Sequence, residues 1–146
     1  EPLRNAGGWQ TGTQNIFSMA PLEGALEIFN RLGMDQVREK SLKLTDYLMA
    51  LIDDKLTGYG FSVGNPRASE RRGGHVALEH EDAVRINQAL KDNGVMPDFR
   101  APNVIRLAPI ALYTSFTEVF RVVETIVKIM DEKLYENYSS KRGTVA

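Results

Sequence analysis

The order and length of the apolar patterns constrain this chain most. Long stripes at helical spacing alternate with runs of three to six residues at strand spacing, and Gly or Pro separates them. A helix is expected at 20–32, with Ser18 as N-cap, Pro21 in its first turn, Gly33 past its end, and Leu22, Ala25, Leu26 and Phe29 buried. A longer helix is expected at 35–56, where Val37, Ser41, Leu44, Leu48, Leu51 and Leu56 recur. Short strands are expected at 61–63 and 75–78. A helix at 81–93 follows, with Ala83, Ile86, Ala89 and Leu90 inward and Gly94 as its stop. Strands at 95–99 and 103–108 come next, and Pro97 marks the first of these as an edge. The last helix spans 116–135, with Ser115 and Glu118 as a capping box. Its apolar stripe is Phe116, Val119, Phe120, Val123, Val127, Met130 and Leu134. This order gives an α+β fold, a small and mainly antiparallel sheet covered by helices on one face. Residues 1–19 read as a Gly-rich connecting segment or arm, 20–138 as the domain, and 139–146 as a tail that frays.

Composition narrows the function. A chain of 146 residues can bury about 70% of its unfolded surface, enough for a core. Eighteen basic residues against nineteen acidic ones give a net charge of -1, which argues against a nucleic-acid binder or an anionic-membrane binder. The absence of Cys excludes disulfide scaffolds, thiolate metal sites and cysteine nucleophiles within the chain, and is compatible with a reducing compartment. No apolar run approaches the ~20 residues of a membrane span. The chain opens at Glu1 and not at Met, so it is expected to be a piece of a longer protein.

Arg106 is the sharpest candidate for chemistry. Alternation along Val104-Ile105-Arg106-Leu107 puts Ile105 and Leu107 on one face and Val104, Arg106 and Ala108 on the other. Arg106 therefore points away from the core, where its planar fork can hold a carboxylate by two parallel hydrogen bonds. Arg71-Arg72-Gly73-Gly74 offers two cations and a flexible backbone, a possible anion-binding turn beside the plainer reading of a solvated loop. Arg100 is a weaker candidate of the same kind. Thr13, ahead of the first helix, is a possible phosphate contact or an ordinary turn residue. His75 reads as a strand-face residue and His80 as a helix-start residue; they form no metal pair with a nearby third ligand. No phosphate loop, dinucleotide fingerprint or nucleophile elbow is present.

Three blocks together resemble a known family. They are Ser18 to Phe29 (SMAPLEGALEIF), Arg71 to Val76 (RRGGHV) and Pro97 to Pro109 (PDFRAPNVIRLAP), the last followed by Leu112-Tyr113-Thr114-Ser115-Phe116. Over about residues 12–132 the chain resembles the C-terminal part of the kynureninases. The Asn-x-Ile-Arg-x-Ala-Pro block with Leu-Tyr-x-Ser-Phe behind it is the most specific part.

That resemblance implies the small domain of a pyridoxal-phosphate enzyme in the aspartate-aminotransferase fold group. The implied reaction hydrolyses L-kynurenine, or 3-hydroxykynurenine, to an anthranilate and L-alanine, in tryptophan breakdown and NAD biosynthesis. The implied setting is a cytoplasmic homodimer, with pyridoxal 5'-phosphate held mainly by a large domain. Arg106 matches the family's arginine for the substrate α-carboxylate. Thr13 matches a position that contacts the cofactor phosphate across the dimer, although Gln14-Asn15 follow where the family commonly has Pro. No lysine here matches the family's cofactor lysine, so no catalytic residue is assigned and the chain alone is expected to be inert. Two alternatives stay open: the small domain of a related enzyme such as a cysteine desulfurase or aminotransferase, and a free-standing binding domain without enzyme activity.

Overall fold

The computed structural model describes residues 3–10, 12–13 and 15–140. The expected tail at 139–146 thus lies outside the described residues from 141 onward. The chain divides into two compact units, Glu1–Val37 and Arg38–Ala146.

The first unit holds helix α1, Ile16–Leu32. It starts earlier than the pattern suggested because Asn15 caps it: the Asn15 side chain accepts from the Ser18 N–H at 3.3 Å. Pro21 consequently lies inside the helix, where it has no N–H to give the preceding turn. Gly33, at φ 77, closes it as expected. The expected buried face is not buried. No residue of α1 is, and Leu22 and Leu26 are 52% and 46% exposed. An amphipathic stripe shows which face wants covering, but not what covers it.

The second unit is the expected α+β layer. Helix α2, Met34–Lys55, runs into it and buries Ser41, Leu44, Thr45, Leu48, Met49 and Ile52. Strands β1 (Ser62–Val63), β2 (Val76–Glu79), β3 (Asp98–Arg100) and β4 (Val104–Leu107) form one antiparallel sheet in the order β1-β2-β4-β3. Pro97 immediately precedes β3, which is an edge strand as expected. Helices α3 (Ala83–Asp92) and α4 (Phe116–Asp131) complete the unit.

The core lies between one sheet face and α2, α3 and α4. Val76, Leu78, Ile105 and Leu107 from the strands join Leu44, Ile52, Ile86, Leu90, Val123 and Ile126 from the helices. Gly94, at φ 81, ends the α3 segment as expected. Helix α4 carries the capping box in full: the Ser115 hydroxyl and N–H each meet Glu118 Oε2 at 2.7 Å, and the Glu118 N–H returns to Ser115 Oγ. Its buried stripe is Val119, Val123, Ile126 and Ile129, so Phe116 and Phe120 stand at the margin, 43% and 38% exposed. Phe116 meets Tyr47 edge-on at 5.6 Å, and Lys55 sits 5.3 Å over the Phe120 ring. The helix stops at Asp131, short of the expected 135, because Lys133 turns left-handed (φ 53) into a 3-10 turn at Leu134–Asn137.

Candidate functional site

The sheet face opposite the core carries the candidate site. Cross-strand partners share a face. Pairing Ala77 with Arg106, Glu79 with Val104, Asp98 with Arg106, and Arg100 with Val104 therefore places Ala77, Glu79, Asp98, Arg100, Val104 and Arg106 together on it. Ile105 is fully buried and Leu107 nearly so, whereas the Arg106 side chain is 39% exposed. The strand alternation expected for Arg106 is thus observed.

Asp98 is the residue that the sequence reading did not single out. Its Oδ2 accepts from Arg106 Nη2 at 2.5 Å and from Arg100 Nε at 2.9 Å. One carboxylate therefore faces two guanidinium groups, and the cluster keeps one net positive charge. Among the described residues, Nε and Nη1 of Arg106 have no protein acceptor. Nη2 carries a second hydrogen, so one two-donor edge of the fork, Nη2 paired with Nη1 or with Nε, is left for an incoming carboxylate, the geometry that favours arginine over lysine. The available signal was the β3–β4 hairpin itself: residues two apart alternate back to one face, which returns Asp98 to Arg106 across the turn.

The Arg71-Arg72 loop is a correction. Arg72 is not an anion ligand. Its side chain is 2% exposed and is spent on the fold. Nε donates to the Arg67 carbonyl at 3.1 Å, Nη1 to the Thr45 hydroxyl, and Nη2 to Asp46. Arg38 of α2 donates to the Ser69 and Arg72 carbonyls, and Arg67 forks onto Asp53 at 2.6 and 2.8 Å. These cations pin the loop onto α2. Arg71 stays exposed, and its side chain has no partner among the described residues.

The histidines also leave the chemistry. His80 is buried against Phe61, ring centres 4.5 Å apart. Its Nδ1 accepts from the Asp82 N–H at 2.9 Å, so Nε2 carries the hydrogen and donates to the Tyr59 carbonyl at 3.0 Å. Both nitrogens are used. His75 lies exposed just before β2, not within it. Among the described residues no group of three or more His, Asp or Glu side chains can hold a metal.

Thr13 belongs to the other compact unit, where it is exposed and has no hydrogen-bond partner among the described residues. The described lysines lie on α2, α3 and α4 or, for Lys133, just after α4; none stands on the sheet face with Arg106.

A family model described as the kynureninase C-terminal domain matches residues 37–126. The chain belongs to that family. It is 56% identical over 145 residues to a kynureninase of Geobacillus thermodenitrificans (strain NG80-2), covering 99% of this chain and 34% of the relative. It is 50% identical, at the same coverage, to a kynureninase of Shouchella clausii (strain KSM-K16). The chain thus spans about a third of the length of these relatives. A solved NifS-like protein shares the fold at TM-score 0.66 and 18% identity, over 86% of this chain and 36% of that one. The family match and the α+β layer agree with the resemblance read from the three sequence blocks.

Proposed function

We propose that this chain is the C-terminal small domain of an enzyme that hydrolyses L-kynurenine to anthranilate and L-alanine. The observation that carries the reading is the 56% identity to a kynureninase along nearly the whole chain. Arg106, on the open sheet face with one edge of its fork free, is the substrate-binding residue and takes the α-carboxylate. Thr13 contacts the cofactor phosphate. Pyridoxal phosphate, when bound, supplies the electron sink for bond cleavage. The work of this chain is to bind and orient.

The same reading divides the chain into a connecting segment at 1–19 and a small domain at 20–138. It makes the enzyme a cytoplasmic homodimer, with the cofactor lysine on the large domain. The uncovered face of α1 then serves as a docking surface for the rest of the enzyme. Among the described residues no helix is long and apolar enough to cross a membrane.

The test swaps this chain for the matching third of the Geobacillus thermodenitrificans relative. The joined enzyme, supplied with pyridoxal phosphate and L-kynurenine, is expected to release anthranilate, and the 146-residue chain alone none. A joined enzyme without turnover, or turnover by the chain alone, contradicts the reading.

A further inference from the structure

We propose that Asp98 is a positioning residue that aims the Arg106 fork at the substrate carboxylate. The inference rests on the proposed role of Arg106 and extends it to a residue that nothing else assigns.

The argument starts from the register. Asp98 lies directly opposite Arg106 across the β3–β4 ladder, on the face away from the core. An arginine on such a face has many rotamers, and each hydrogen bond to a ligand requires one of them to be selected. Asp98 Oδ2 makes that selection before a ligand arrives, by holding Nη2 at 2.5 Å. The anchor leaves Nε and Nη1 without a protein acceptor, so the restrained group still presents donors. The pair is part-exposed, 39% and 44%, so its role is better sought in orientation than in stability. Arg100 holds the same oxygen at 2.9 Å and so fixes the carboxylate from the other side.

The three hydrogen-bonded side chains, two arginines and one aspartate, carry a single positive charge, and Glu79, opposite Val104, adds one negative charge to the same face. Without Asp98 two free cations would face the ligand, each mobile and neither aimed. A preorganised fork loses less freedom on binding than a loose one.

The test is a double-mutant cycle in the joined enzyme, read as KM and kcat. Asp98→Asn is expected to raise KM for L-kynurenine about five- to tenfold, with kcat within about twofold, since charged hydrogen bonds of this kind decide binding on that scale. Asp98→Glu is expected to recover part of the loss. In an Arg106→Ala background Asp98→Asn is expected to change nothing further, because the residue it aims is gone. A second measurement separates positioning from general damage. Kynuramine, the amine left when the α-carboxylate is removed, is expected to inhibit wild type and Asp98→Asn equally, whereas a structural defect weakens it as well. The inference is overturned if Asp98→Asn leaves KM unchanged while Arg106→Ala raises it, if its effect persists without Arg106, or if kynuramine weakens in parallel. Arg106→Ala without effect on KM overturns the carboxylate reading itself, and the inference with it.

Discussion

Arg72 and Arg106 show how one residue type takes opposite roles by placement. Arg72 is buried and donates to Thr45, Asp46 and the Arg67 carbonyl, so its charge is consumed by α2 and the loop. Arg106 is part-exposed and keeps donors to spare. Arg72→Ala is expected to destabilise the chain by about 1–3 kcal/mol, read from urea denaturation, because it removes a buried charged side chain and strips the buried Thr45 hydroxyl of its donor. Arg72→Lys is expected to recover little, since an ammonium cannot reach three acceptors in a plane. A loss below about 0.5 kcal/mol, the range of ordinary surface changes, would show that Arg72 is not part of the scaffold. Alternation along four residues was enough to place Arg106. Nothing local marked Arg72 as buried, because its partners on α2, Asp46 and Thr45, lie 26 and 27 positions away and meet it only after the loop folds back. Asp98 stayed hidden for a related reason: a hairpin register sets its partner, and composition carries no register.

At the level of elements, the capping box is the most legible local feature, and it makes a pH prediction. The Ser115 backbone N–H first, and then its hydroxyl, hold the Glu118 carboxyl below its ordinary 4.5. A depressed carboxyl contributes stability above its ordinary value and loses it as pH falls through the folded value. The melting temperature of wild type is therefore expected to drop as pH falls below about 4.5. Glu118→Gln keeps an acceptor without the charge, and is expected to lose less over that interval. Parallel acid limbs for the two proteins would remove Glu118 from the account. The outer ends of helices were harder to read. Asn15 outcompeted Ser18 as the cap of α1, and a left-handed Lys133 cut α4 short, because cap geometry depends on φ and ψ and not on the apolar stripe.

For the whole molecule, the antiparallel sheet and its helix-covered face followed from short strands set between long helices, whereas the strand order β1-β2-β4-β3 depends on pairings that the pattern does not carry. The fate of α1 did not. Its apolar stripe is real, and Ile16, Phe17, Met19, Leu22, Leu26 and Ile28 are all exposed. A stripe of that size fits a domain whose neighbours lie in the other two-thirds of its relatives' length. The proposed function divides the labour: bond cleavage falls to cofactor and large domain, and this chain is proposed to hold the substrate by its carboxylate. That claim concerns the joined enzyme, and one measurement tests it most directly. Arg106→Ala, assayed with L-kynurenine against wild type, is expected to raise KM about ten- to a hundredfold with kcat nearly unchanged, the cost of a lost charged hydrogen-bond pair. An unchanged KM, or a loss confined to kcat, would contradict the assignment of this face to the substrate carboxylate.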